Sequence, residues 1–289
     1  MRTGTVCIVA ILRDERKFVD EWLAYHRLLG VDHFYLYVDE PGNALARHVA
    51  PHRCYTTVVP WYRRHKWLPG RNKQVKAYMH SLLEIRSRFE WVCFLDLDEF
   101  IVLRQHTDIK AYLDQFPDEA SIVLFWRMFG DNGFFNDPRG LVTASLTRRK
   151  RQSGRQYKSF SRTDKIESIQ SAHRCNLLPG SRHFDANGEP FRPEAFDLDK
   201  DGELFPAYVN HYYCRSFRRW MDRPRRGATT DGENLASEKW KSDPQECFRL
   251  FVEKVSVEFN ECLDESLVKY EEAINDYLVE LRAGKRVSP

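Results

Sequence analysis

A chain of 289 residues with 13% aromatic side chains has enough apolar mass to bury a substantial core, as one large domain or two ordinary ones, and this composition excludes a disordered chain. Lysine and arginine number 45 against 42 acidic residues, so a net charge of +3 names no partner by itself and its distribution matters more. The seven cysteines are odd in number and form no Cys-x-x-Cys pair, which excludes a zinc ribbon and fits reduced thiols in a cytoplasmic chain.

In chain order, Val6 to Leu12 is an apolar run that ends at Arg13-Asp14-Glu15. It is too short to span a bilayer and has no small-residue cleavage site, so it reads as a first strand. No other stretch is apolar enough to cross a membrane. Phe18, Val19, Trp22, Leu23, His26 and Leu29 recur at helical spacing until Gly30. His33 to Val38 is a second strand, Thr56 to Trp61 a third, Gln74 to Arg88 a helix, and Trp91 to Leu95 a fourth strand. Strands separated by helices imply right-handed crossovers and a mostly parallel α/β sheet. Ligands of such sheets collect beyond the carboxyl ends of the strands. Arg13, Asp14, Glu15, Asp39, Asp96 and Asp98 all fall at those ends.

The stretch Trp91-Val92-Cys93-Phe94-Leu95-Asp96-Leu97-Asp98-Glu99-Phe100 runs from a buried strand straight into three carboxylates. Side chains alternate along a strand, so Asp96 and Asp98 share one side and repel unless a cation lies between them. Hard oxygen ligands of this kind suit Mg²⁺ or Mn²⁺, particularly where substrate phosphates complete the coordination. The competing reading is an exposed acidic loop after a core strand.

Further segments carry a resemblance. Leu12-Arg13-Asp14-Glu15, Glu21-Trp22-Leu23-Ala24-Tyr25-His26, the aromatic second strand, Phe94-Leu95-Asp96-Leu97-Asp98-Glu99-Phe100, Trp126-Arg127-Met128-Phe129-Gly130-Asp131-Asn132-Gly133, and Asn210-His211-Tyr212-Tyr213 with Ser216 stand in order over about residues 5 to 227. Together they resemble the glycosyltransferase family 92 and family 2-like enzymes. Asp14 stands where that family usually has Asn, and Asp39-Glu40-Pro41-Gly42 replaces its Asn-x-Ser-x-Asp turn.

The resemblance implies a GT-A-like fold, a nucleotide-sugar donor, a divalent metal (Mn²⁺ or Mg²⁺) and inversion at the sugar. Asp96 and Asp98 would hold the metal, with Asp96 also reaching the nucleotide, and His211 would be the third ligand, with His173 its rival. Arg13, Glu15, Asp39, Arg71, Lys73 and Gln74 would meet the nucleotide. Glu99 would orient its neighbours. Asp131 is the candidate general base, against a reading as a turn residue. Trp126 would wall the acceptor site, against ordinary core packing.

Basic residues cluster at Arg63–Lys73, at Arg148–Lys158 and at Arg215–Arg226. The middle cluster reads as a solvated face. The third, interleaved with Phe217, Trp220 and Met221, is a candidate for peripheral contact with the inner membrane face or an anionic glycolipid. No nucleic-acid fold surrounds it. Phe184 to Pro206 is turn-rich, and its Asp197, Asp199 and Asp201 lack calcium-loop spacing. Helical patterns over 245 to 259 and from Leu267 to Leu281 close the chain.

The expectation is a GT-A-like domain over 1–230 with a helical extension over 231–289 packed on it. Its function would be transfer of a hexose from a UDP-sugar, galactose by analogy with the family, to a glycan such as a bacterial surface polysaccharide or lipooligosaccharide. The alternatives are a nucleotidyltransferase, which normally shows a Gly-rich loop where Leu12-Arg13-Asp14-Glu15 stands, and a non-catalytic carbohydrate-binding or scaffolding protein.

Overall fold

Strand β1 (Val6–Leu12) is buried along its whole length, as a central parallel strand covered on both faces must be. Its side chains divide by parity. Val6, Ile8, Ala10 and Leu12 enter one core with Trp22 and Phe34, while Cys7, Val9 and Ile11 enter a second with Tyr78, Leu82 and Ile85. The sheet is therefore sandwiched: α1 (Val19–Leu28) lies on the first face and α3 (Lys73–Ile85) on the second. This α/β sandwich is the GT-A-like architecture. The computed structural model describes residues 4–62, 72–191, 205–222 and 243–284.

On one side, β1 pairs in parallel with β2 (His33–Val38), which pairs in parallel with β3 (Thr56–Pro60). The short helix α2 (Ala44–His48) lies between those two in sequence. On its other side β1 pairs in parallel with β4 (Trp91–Phe94). Beyond β4 the sheet becomes mixed. The strands β5 (Glu99–Leu103), β6 (Ser121–Met128), β8 (Tyr157–Arg162) and β12 (Ala207–His211) extend it in the order β4-β8-β6-β12-β5. The pairs β4–β8, β6–β8 and β12–β5 are antiparallel, and β12–β6 is parallel. Helix α4 (Ile109–Leu113) lies between β5 and β6, and β11 (His183–Phe184) adds to β6. The alternation of strand and helix marked the parallel half correctly. The antiparallel half has no crossover helices to announce it.

Smaller pieces complete the frame. Helix α5 (Val142–Ser145) precedes β7 (Arg148–Arg149), which pairs with β13 (Cys262–Leu263), and β9 (Ile166–Ile169) pairs with β10 (Cys175–Leu177). The expected turn at Asn187-Gly188 forms, with the Asp185 carboxylate accepting from the amides of Asn187 and Glu189. Asp197, Asp199 and Asp201 lie outside the described residues.

The carboxyl-terminal segment is built into the main core. Helix α8 (Glu271–Arg282) contributes Ile274, Tyr277 and Leu278 to the first cluster, and the Tyr277 hydroxyl lies 2.7 Å from that of Tyr55. Helix α7 (Pro244–Leu250) continues into a π-helical stretch, Phe251–Val257, where one regular helix was expected. Phe251 and Val255 of that stretch pack with Cys214 and with Trp220 of α6 (Phe217–Met221) in a third cluster.

The middle basic cluster is a solvated face only in part: Arg148, Arg151 and Arg155 are exposed, while Arg149 and Lys158 are buried. Arg149 is 8% exposed and binds Asp264 at 2.6 Å, Lys150 binds Glu258, and the amide of Arg151 donates to Glu261. Arg149 and Lys150 are counter-charges of the acidic segment 258–264. All seven cysteines are free thiols. No described helix is long and apolar enough to cross a membrane.

Candidate active site

Two loops at the carboxyl ends of parallel strands, together with the mixed half of the sheet, bring the site together. After β2, Asp39 is 1% exposed and accepts 2.5 Å from Lys73 Nζ, with Arg13 at 3.9 Å. Lys73 opens α3, whose first turn is capped by the Asn72 side chain accepting from the amides of Gln74 and Val75. That cap aims the positive end of the helix dipole at this end of the sheet. Gln74 then donates to Asp96 Oδ1 at 2.8 Å and to the Tyr78 hydroxyl at 2.7 Å. Arg71 lies outside the described residues.

After β4, Asp96 is held from a second direction, since Lys158 Nζ donates to its Oδ2 at 2.8 Å. The Glu99 carboxyl is fully buried and accepts from the Asp96 amide at 2.8 Å. Burial first, and Asp96 and Asp98 next, push its pKa well above the ordinary carboxylate value, opposed by Lys158. Burial works against the charge of Lys158, but Asp96 and Glu99 outweigh it and keep the ammonium protonated. Glu99 thus anchors the Asp96 backbone amide.

The third contribution comes from the mixed half of the sheet. In the antiparallel β12–β5 ladder, His211 is the direct partner of Glu99, which places its ring beside the residue before. His211 Nε2 lies 3.5 Å from Asp98 Oδ2. Trp126, two residues from the carboxyl end of β6, packs its ring between two imidazoles, His211 at 4.1 Å and His173 at 5.0 Å between centroids. His173 sits on the β9–β10 turn. Burial, with Lys158, lowers its pKa to about 4, so the ring is neutral at physiological pH.

Glu15 and Asp131 take other partners. Glu15 is forked between Arg215 and Arg219, both at 2.8 Å. Arg215 adopts a left-handed backbone (φ 57°), is 2% exposed, donates to the Leu97 carbonyl inside the Asp-x-Asp turn and stacks 3.9 Å from the Phe18 ring. Arg215 and Arg219 therefore turn into the protein, whereas Arg218 is exposed and Arg223, Arg225 and Arg226 lie outside the described residues. Asp131 is 2% exposed, and its Oδ1 accepts from Asn260 Nδ2 at 2.8 Å. The neighbouring Gly130 is required there, because a Cβ would lie 2.1 Å from Asn260 Oδ1 and 2.7 Å from the Phe259 carbonyl. The Gly-Asp-Asn-Gly turn is thus a socket for the carboxyl-terminal segment, and Asp131 braces it.

Lys158 and Arg215 are the site residues that sequence reasoning missed, having assigned both to surface charge clusters. The one available signal for Lys158 was its place inside Tyr157-Lys158-Ser159-Phe160, where a lone cation alternates with aromatic and small residues.

The donor set fits a divalent cation of the Mg²⁺ or Mn²⁺ type. Among the described residues no group of three or more His, Cys, Asp or Glu side chains gathers as a metal cage. One carboxylate with an imidazole, the rest of the shell coming from substrate phosphates and water, is nevertheless an ordinary arrangement for these ions. The His211 Nδ1 atom, buried without a hydrogen-bond partner, leaves the ring free to present Nε2 toward Asp98.

A largely parallel sheet that gathers carboxylates, imidazoles and lysines beyond its carboxyl edge defines the GT-A-like class of α/β protein. The chain belongs to glycosyltransferase family 92, whose model matches residues 2–192. It is 26% identical over 220 residues to a family 92 protein of Ricinus communis, covering 72% of this chain and 34% of that one. It is 25% identical over 187 residues to a family 92 protein of Oryza sativa subsp. japonica, covering 63% and 31%. The chain therefore spans about a third of the length of the curated relatives it matches. Among solved structures, S. aureus TarS matches 86% of this chain and 44% of its own at 13% identity, with a TM-score of 0.35. At that score the likeness does not bear on the site.

Proposed function

We propose that this chain is a metal-dependent, inverting glycosyltransferase that moves a hexose from a nucleotide-sugar, a UDP-sugar in our reading, to a hydroxyl of a glycan acceptor such as a surface polysaccharide or lipooligosaccharide. The observation that carries the proposal is the pairing of Asp98 with His211 beside a clamped Asp96, at the carboxyl edge of the sheet, in a chain of family 92. In such a transfer the acceptor oxygen bonds to the anomeric carbon as the bond to the diphosphate breaks, and the nucleoside diphosphate departs with the bonding electrons. Asp98 and His211 would hold the cation, which when bound neutralises charge developing on that diphosphate. Lys73, Arg13 and the capped amino end of α3 add fixed positive potential on the same side. Trp126 and His173 would form the wall against which the acceptor lies, an aromatic surface with polar nitrogen atoms.

The deciding experiment is calorimetric titration with UDP, GDP and CMP, each with and without Mn²⁺, followed by transfer assays with the matching hexose donors. Mn²⁺-dependent binding of one nucleotide identifies the donor class. Absence of any nucleotide binding would replace this reading with a non-catalytic carbohydrate-binding one.

A further inference from the structure

Lys158 is a buried cation in contact with two carboxyl groups of the site, and its surroundings are fully specified. The antiparallel pairing of β8 with β4, in which Phe160 faces Cys93, carries it under the Asp-x-Asp turn. Its side chain is 1% exposed. Its ammonium donates to Asp96 Oδ2 at 2.8 Å and to the Ala172 carbonyl at 3.2 Å, and lies 3.3 Å from Glu99 Oε2 as an ion pair. The other oxygen of Asp96 takes the Gln74 amide at 2.8 Å. Both oxygens of Asp96 are thus engaged and its charge is matched inside the protein. Asp98, two residues later, lies 3.5 Å from the His211 imidazole and also interacts with the buried Arg215 guanidinium, whose own ion pair at 2.8 Å is with Glu15.

We infer that Lys158 is a positioning residue that divides the Asp-x-Asp pair: it is the built-in counter-ion of Asp96 and so directs the divalent cation to Asp98 and His211. This rests on the metal-dependent reading proposed above. Two carboxylates two residues apart are equivalent attractors for a divalent ion until one is neutralised, and an internal ammonium neutralises Asp96 without occupying the solvent side of the site. Without that charge, a divalent ion meets both aspartates, binds more tightly and settles away from the position that serves the diphosphate.

The test titrates the 289-residue chain with Mn²⁺ alone, free metal being read by electron paramagnetic resonance, in wild type, Lys158→Met and Lys158→Arg. Lys158→Met should bind Mn²⁺ about tenfold more tightly while kcat for transfer falls more than KM rises, and Lys158→Arg should return the wild-type affinity. A merely structural lysine would leave Mn²⁺ affinity unchanged or weaken it, and either result in a folded Lys158→Met protein overturns the inference. A second measurement leaves Lys158 in place. Asp96→Asn should keep Mn²⁺ affinity within about threefold of wild type whereas Asp98→Asn loses it, and equal losses in the two variants also overturn the inference. If wild type binds neither Mn²⁺ nor any nucleoside diphosphate, the metal-dependent reading falls, and this inference with it. Equal Mn²⁺ binding by wild type and Lys158→Met removes this inference alone.

Discussion

The back and the front of the site are built from the same kinds of residue and are satisfied to very different degrees. Behind β5, Glu21, Trp22, Tyr25 and His26 of α1 find partners on β5, α5 and their own helix, and Arg27 Nε is the α1 side-chain atom left without one. Glu21 accepts from the Val142 and Thr143 amides and the Thr143 hydroxyl at 2.8 to 2.9 Å, and Trp22 Nε1 donates to the Glu99 carbonyl at 2.9 Å. Tyr25 donates to the Ile101 carbonyl at 2.5 Å, while His26 lies 2.9 Å from the Trp22 carbonyl and accepts from the Ile101 amide at 3.3 Å. In front of β5, by contrast, Glu99 Oε1, Trp126 Nε1, His173 Nδ1 and His211 Nδ1 are all buried without a hydrogen-bond partner. A buried polar atom left unsatisfied costs about 1–3 kcal/mol, and four of the nine such side-chain atoms among the described residues gather here, at the candidate site. The Glu-Trp-x-x-Tyr-His motif of α1 is therefore a frame for β5, and the candidate site lies on the other side of that strand.

The sharpest way to break this contrast is at the front. Asp98→Asn should lower transfer by about a thousandfold, roughly 4 kcal/mol, with the thermal unfolding midpoint unchanged. A parallel loss of stability would make Asp98 part of the frame. At the back the effects should be reversed. Glu21→Ala strands two amides and a hydroxyl and should cost about 2–3 kcal/mol in denaturant unfolding, while turnover per folded molecule is retained. Loss of turnover at full stability would move α1 to the chemical side.

Acid should probe the frame through His26. Burial, opposed only by its bond to the Trp22 carbonyl, holds its pKa at about 3, against 6.5 for the free side chain. Below pH 6.5 the unfolded chain binds a proton that the folded chain refuses. The stability is complete above pH 6.5 and is lost as pH falls toward 3, at about 1.4 kcal/mol per pH unit. Denaturant midpoints for wild type and His26→Gln between about pH 7.5 and 5 should diverge by that slope, and parallel curves would contradict the assignment. The smallest effect is expected at the socket. Asp131→Asn keeps the turn and should lower kcat by less than about tenfold, under 1.4 kcal/mol. A loss above a hundredfold would restore Asp131 as the general base.

Strand β4 and the carboxylates beyond it were legible in the sequence because the cause is local. Period-two alternation and an abrupt end to an apolar run place Asp96 and Asp98 on one side at a strand terminus, and strand–helix alternation makes the first half parallel. The α1 motif was legible as a motif but not as a frame, since its partners on β5 and α5 lie 75 to 122 residues away.

The fate of each charge was not local. Lys158 and Arg149 look alike in one basic run, yet the first meets Asp96, 62 residues away, and the second Asp264, 115 residues away. Arg215 reads as membrane-facing until Glu15, 200 residues earlier, is set beside it. The sequence by itself determined where strands end, which carboxylates gather there and which family the chain resembles, because those depend on short-range pattern. Only the tertiary structure decided which cations are buried and what they hold in place. A charge is stable away from water only where an opposite charge from a distant part of the chain comes within hydrogen-bonding distance.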